Sequence, residues 1–158
     1  MKRNYNIAFR VFFLVPFIIF VANAVYAQTA QQVAKKAFGS TVLLVMEDSN
    51  GQPLSLGSGF FVSDDEIVSN LHVVEGAVDG YAKLVGKQKK YDIAGITAID
   101  AERDLVLLKI AGTGFSPLSL GNGEATQVGE SVYAVGNPQG LEGTFSQGIV
   151  SSIRDVGD

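Results

Sequence analysis

The chain has 158 residues, no cysteine, a single histidine and a formal net charge of −4 at pH 7. Without cysteine it has no disulfide, no thiolate metal site and no lipid-modified cysteine, and one imidazole cannot build a multi-histidine metal site. The acidic balance argues against a nucleic-acid partner, which favours a basic protein face.

The first 27 residues have the features of a secretory signal peptide. A positively charged start precedes the apolar run Val11–Val21, and Val25–Ala27 matches the small-x-small pattern that signal peptidase recognises. The alternative is a membrane anchor, but this run is too short to span a bilayer comfortably. We therefore expect cleavage after Ala27, a mature charge of −7 because three basic residues are lost, and export to the periplasm or the exterior.

The remaining chain predicts an all-β protein, because its short apolar runs are separated by glycine-rich turn segments. One short helix is predicted at Gln31–Phe38. Strands are predicted, in chain order, at Thr41–Met46, Leu54–Val62, Ile67–Asn70, Tyr81–Val85, Tyr91–Ile99, Leu105–Ile110, Ser131–Val135 and Phe145–Ile153. The stretch after Ile110 is rich in Gly, Ser, Thr, Asn and Pro and is typical of a connection. Six strands therefore complete one unit, and two strands begin a second.

The only histidine, His72, has two interpretations. A lone histidine is most often a structural residue whose ring is satisfied by backbone groups. It can also act as a general base, which requires a carboxylate to hold its tautomer and a nucleophile to deprotonate. Asp104, at the start of the apolar strand Leu105–Ile110, is a candidate carboxylate that could be drawn partly out of water. The alternative is that Asp104 only ends a turn, and residue chemistry by itself leaves both interpretations open.

Three segments resemble the trypsin-like serine proteases of the HtrA (Deg) family. They are GSGFFVSDDEIVSNLHVVEGA (57–77), AERDLVLLKI (101–110) and VYAVGNPQGLEGTFSQGIVSSI (132–153), and they occur in the order of the family. The resemblance runs from about Phe38 to Ile153. It implies a chymotrypsin/trypsin-like double β-barrel, with the first barrel complete and the second only begun. The domains would be a signal peptide at 1–27, a first barrel at 28–111, a linker at 112–127 and the start of the second barrel at 128–158.

The resemblance also assigns roles to residues. His72 matches the general base and Asp104 the acid that orients it, while Gly57, Gly59 and Asn70 would be scaffold that aims the imidazole. It implies an exported serine endopeptidase that acts on polypeptides, unfolded ones included, needs no metal or cofactor, and assembles as a homo-oligomer. Nucleic acid is not an expected partner.

The nucleophile of the family lies in a Gly-Asn-Ser-Gly-Gly-type loop of the second barrel, and no such loop occurs in this chain. Ser58 is flanked by glycines but matches a structural position. We therefore expect a fragment of a longer protease that is inactive by itself, with incomplete order after about Gly112. The alternatives are a non-catalytic module that binds peptides or is the product of a decayed gene, and a purely structural secreted β-domain.

Overall fold

A computed structural model of the chain describes residues 28–154, so the predicted signal peptide lies outside the described residues. The chain forms two helices and eight strands over this range: α1 Ala30–Phe38, β1 Thr41–Glu47, β2 Pro53–Phe61, β3 Glu66–Ser69, α2 Leu71–Val74, β4 Asp79–Leu84, β5 Lys90–Asp100, β6 Leu105–Ile110, β7 Ser131–Gly136 and β8 Thr144–Ile149. Single 3-10 turns lie at Gly123–Ala125 and Pro138–Gly140. None of the helices within 28–154 has the length and apolar character needed to cross a membrane.

The first six strands form a closed antiparallel barrel in the order β1-β2-β3-β6-β5-β4. β7 and β8 pair with each other as a separate antiparallel hairpin. The predicted all-β class, with one barrel complete and a second begun, is therefore confirmed. The proposed domain boundaries stay a prediction, although the barrel strands end at Ile110 and the second sheet starts at Ser131.

The barrel core is built by strands whose apolar residues were evident in the sequence. β1 is buried over six consecutive residues, Thr41–Met46, which explains its continuous apolar character. Phe61, Ile67 and Leu108 are fully buried and bring β2, β3 and β6 into the same cluster. Closure of the sheet pairs both edges of every strand in this barrel, and burial of these side chains removes apolar surface from water.

The connection after β6 is attached to the barrel, although it forms no strand. The ring of Phe115 stacks on that of Phe61, with centroids 4.2 Å apart and planes within 7°. The backbone N–H of Leu118 donates to the carbonyl of Phe61 at 2.8 Å. These contacts attach the first part of the connection to β2, beyond Gly112, and the incomplete order predicted after that residue stays a prediction.

The final strand is shorter than predicted. β8 ends at Ile149, not Ile153, because its partner β7 begins at Ser131 and the register pairs Ser131 with Ile149. Leu141, Ile149 and Ile153 are each at least 60% exposed, so the apolar side chains around this second sheet are incompletely packed. Phe145 instead contacts the rings of Tyr133 and Phe38.

Candidate functional site

His72 is carried by α2, a single helical turn that the sequence did not predict. The four residues Leu71–Val74 are too few for a helical period, and two of them are β-branched valines. The turn packs closely on β2: a Cβ atom added to Gly57 would lie 2.5 Å from Cγ1 of Val73. Glycine at position 57 therefore provides the space in which α2, and with it His72, is seated against the barrel.

Asp104 lies in the turn between β5 and β6, and its backbone adopts φ +53°. It is the only non-glycine residue with positive φ among residues 28–154. Aspartate tolerates this left-handed conformation better than most residues do. Its carbonyl accepts a 3.1 Å hydrogen bond from the N–H of Leu71, which joins the turn to the start of α2.

The carboxylate of Asp104 binds His72 through both of its oxygens. Oδ1 accepts from the backbone N–H of His72 at 2.9 Å, and Oδ2 lies 2.6 Å from the ring Nδ1. Because an ionised carboxylate only accepts hydrogen bonds, Nδ1 carries the proton in this pair. The neutral imidazole then has its lone pair on Nε2, and Nε2 makes no hydrogen bond to any residue from 28 to 154.

The hydrogen bonds to Asp104 hold the pKa of its carboxyl below the ordinary range. The largest cause is the bond from the backbone N–H of His72, followed by the bond from its ring, and desolvation works in the opposite direction. The side chain is 44% exposed and that of His72 is 66% exposed. Hydrogen bonding, and not withdrawal from water, therefore keeps this carboxylate charged.

Asn70 contributes more than the scaffold that the sequence predicted. Its Nδ2 donates to the carbonyl oxygen of Asp104 at 3.1 Å and to Oδ2 of the same residue at 3.2 Å. The sequence held no sign of this contact, because the two residues are 34 positions apart. Gly59 is scaffold as expected, since a Cβ at that position would lie 2.5 Å from a methyl group of Ile67.

Ser58 is engaged in structural contacts. Its Oγ accepts a 2.7 Å hydrogen bond from the backbone N–H of Asn137, and its carbonyl accepts from the hydroxyl of Ser69. The hydroxyl oxygen therefore links β2 to the loop between β7 and β8. This contact gives a physical reason for the structural position that the sequence comparison with HtrA proteases assigned to Ser58.

A cavity of about 550 Å³ lies between α1, the barrel and β7. Its walls include Asn70, Leu105 and Tyr133. Asn70 contacts Asp104 directly, and Leu105 follows Asp104 in the chain, but His72 and Asp104 are not among the residues that line this cavity. The chemistry available to the pair is therefore that of Nε2, a proton acceptor on a side chain that is 66% exposed.

This barrel, with its imidazole–carboxylate pair, has the architecture of chymotrypsin-type peptidases. Comparison with family models matches residues 57–158 to the trypsin-like peptidase domain, and the chain belongs to that family. The resemblance to HtrA/Deg-like trypsin-type proteases is confirmed by curated relatives.

The relatives include proteins named probable periplasmic serine endoprotease DegP-like. The one from Halomonas elongata is 40% identical over 102 residues, which cover 63% of this chain and 21% of the relative. The one from Bartonella henselae is 38% identical over 109 residues, covering 67% of this chain and 21% of the relative. The anti-sigma-I factor RsgI9 of Acetivibrio thermocellus is 35% identical over 117 residues, covering 73% of this chain and 16% of that protein. The matches thus span about a fifth of the length of these relatives.

Proposed function

We propose that His72 and Asp104 are the general base and the orienting acid of an exported serine endopeptidase that cleaves polypeptides. The observation that carries this proposal is the 2.6 Å contact between His72 Nδ1 and Asp104 Oδ2, which leaves Nε2 as the basic nitrogen. The names of the DegP-like relatives support both the peptidase chemistry and a periplasmic location.

In this mechanism Nε2 of His72 takes the proton of a serine hydroxyl as the oxygen attacks the peptide carbonyl. The imidazolium that forms is stabilised by the Asp104 carboxylate, and it then donates the proton to the leaving amine. Asp104 remains ionised throughout, which agrees with the lowered pKa of its carboxyl. The reaction needs no metal or cofactor.

We infer that the serine and the oxyanion hole are supplied by the remainder of a second barrel that β7 and β8 begin. The support is the match of residues 57–158 to the trypsin-like peptidase domain and the absence of a Gly-Asn-Ser-Gly-Gly-type loop among these 158 residues. Under this proposal the chain by itself is inactive. The intact mass of the protein isolated from its own source tests the inference, because a mass equal to that of residues 28–158 would contradict it.

The activity is tested on that isolated protein with a labelled unfolded polypeptide as substrate. A serine-directed phosphonate should abolish cleavage, and His72→Ala or Asp104→Asn should each lower kcat by about 10⁴-fold or more. Asp100→Asn is a matched control, because Asp100 ends β5 just before the same turn but pairs with Arg103. Cleavage retained by His72→Ala would overturn the proposal.

A second candidate is a non-catalytic module that binds peptides. The anti-sigma-I factor relative, whose name describes no peptidase, favours keeping this alternative. In the described part of the chain β7 and β8 pair only with each other, and a free strand edge can take up an extended peptide by strand addition. This function would be favoured if the His72→Ala variant binds peptides and the unmodified protein does not cleave them.

A further inference from the structure

Asn70 immediately precedes α2, at the position that normally caps a helix. Asparagine is favoured there because its side-chain oxygen accepts from a backbone N–H of the first turn. Asn70 has the extended backbone of an N-cap residue, with φ −79° and ψ 142°, but its side chain makes no capping hydrogen bond. The side chain is turned toward Asp104 instead.

Asp104 takes over the role of the cap from the turn before β6, the strand that pairs with β3. Its carbonyl accepts from the N–H of Leu71, and its Oδ1 accepts from the N–H of His72. Two of the N–H groups that a helix leaves unpaired at its start are thereby satisfied. The side-chain amide of Asn70 therefore does not cap α2, and both of its hydrogen bonds go to Asp104.

The second donor on Oδ2 restricts how the carboxylate can turn. The terminal torsion of an aspartate is broad, so a single hydrogen bond leaves the carboxylate plane poorly defined. Here Oδ2 is held by the ring Nδ1 of His72 and by Nδ2 of Asn70, while Oδ1 is held by a backbone N–H. The nearest cation in the same turn, Arg103, is paired with Asp100.

These contacts identify a role for Asn70 that goes beyond scaffold. We propose that Asn70 is a positioning residue: its side-chain amide fixes Oδ2 of Asp104 in line with His72 Nδ1, and so keeps Nε2 as the basic nitrogen. The catalytic consequence of this proposal rests on the proposed peptidase function. An exposed hydrogen bond of this kind contributes little to stability, so its effect is expected in the properties of the pair.

The chain offers a direct readout because His72 is its only histidine. Its ring signals in a ¹⁵N or ¹H NMR spectrum are therefore assigned without ambiguity, and the Asp104 carboxyl carbon is assigned by its loss in Asp104→Asn. In Asn70→Ala we expect the pKa of the Asp104 carboxyl to rise and the Nδ1–H signal of His72 to be lost to faster exchange with water. Asn50→Ala is the matched control, since Asn50 also faces an aspartate but lies far along the chain from the pair.

Asn70→Asp is a second variant, which keeps the shape and the N-cap preference but cannot donate. It places a carboxylate beside Asp104, so the rise in the Asp104 pKa should exceed that in Asn70→Ala. If Asn70→Ala fails to fold, Asn70→Asp tests whether the Asn70 side chain positions Asp104. An unchanged Asp104 titration and an unchanged Nδ1–H signal in folded Asn70→Asp would overturn the proposal.

The same variants separate this proposal from the peptidase proposal, because the NMR readouts need no turnover. If the isolated protein is active, Asn70→Ala should lower kcat by about tenfold or more while KM changes little, since a lost orienting bond acts on the transition state. NMR changes in Asn70→Ala, together with a lack of activity in the protein isolated from its own source, would keep the Asn70–Asp104 relationship and refute the proposed function alone. An active enzyme with unaltered kcat in Asn70→Ala would refute the positioning role alone.

Discussion

The side-chain amide of Asn137 donates a 2.8 Å hydrogen bond to the carbonyl of Val42, a residue of β1 that precedes it by 95 positions. Asn137 is 2% exposed, and its Oδ1 accepts from the N–H of Gly143 at 2.9 Å. Its own backbone N–H donates to the hydroxyl of Ser58. One buried asparagine therefore joins the first barrel to the loop between β7 and β8.

Asn137→Ala should destabilise the fold by about 1–3 kcal/mol, because the carbonyl of Val42 and the N–H of Gly143 lose their partner in a site of low exposure. Urea unfolding measures the change, and Asn50→Ala at an exposed turn should change stability by no more than about 0.5 kcal/mol. Equal midpoints for the two variants would show that Asn137 does not hold the sheet to the barrel.

Gly57→Ala should destabilise the protein and disturb His72 together. The added methyl group would lie 2.5 Å from Val73, and such overpacking costs about 1–3 kcal/mol. Because Val73 and His72 share the turn α2, the Nδ1–H signal of His72 should also change. Gly121→Ala is the control, since no atom lies within 4 Å of its added Cβ.

A double variant tests the cause of that effect. Val73→Ala removes the methyl groups that the new Cβ would meet, so Gly57→Ala combined with Val73→Ala should cost less than the sum of the single changes. Strict additivity in thermal or urea unfolding would mean that the two residues do not clash.

The stabilising effect of Asp104 should depend on pH. Its folded-state pKa lies below the unfolded value of about 3.9, so its contribution is fully present above that pH and is lost as the pH falls toward the folded pKa. Asp104→Asn lacks this contribution and keeps a residue that tolerates positive φ. The difference in urea midpoint between the two proteins should be largest near pH 6 and should shrink below pH 4. A difference that is constant from pH 2.5 to pH 7 would contradict this account.

Limited proteolysis of residues 28–158 should cut first between Ser119 and Val128. The backbone bond from Leu118 to Phe61 is followed by exposed residues such as Leu120, which is 76% exposed. Phe115→Ala removes the ring stacked on Phe61 and should move the first cut toward Gly112. Mass spectrometry of the early fragments locates the cuts. Initial cleavage inside β6 would contradict the expectation that the segment between Ser119 and Val128 is cut first.

The strands of the barrel were predictable because local signals and tertiary burial agree there. Five consecutive apolar residues in β1 and the run of β6 were evident as buried strands, and both are central to the core. Helix α1 was predicted from residue 31 and begins at Ala30, where Thr29 and Gln32 form a capping box that the sequence displays. β8 was overestimated because the length of a strand depends on the partner it pairs with.

The candidate site, like the fold, was predictable from the sequence only in part. The residue types, together with the order of the family segments, were enough to single out His72 and Asp104. The formation of α2 depends on long-range contacts, since its first two N–H groups donate to Asp104, more than 30 positions away, and not to a local cap. The second donor on the carboxylate, Asn70, and the bond from Asn137 to Val42 depend on the same kind of contact. Propensity and periodicity describe neighbours along the chain, whereas these bonds exist only once the barrel has closed and brought distant turns together.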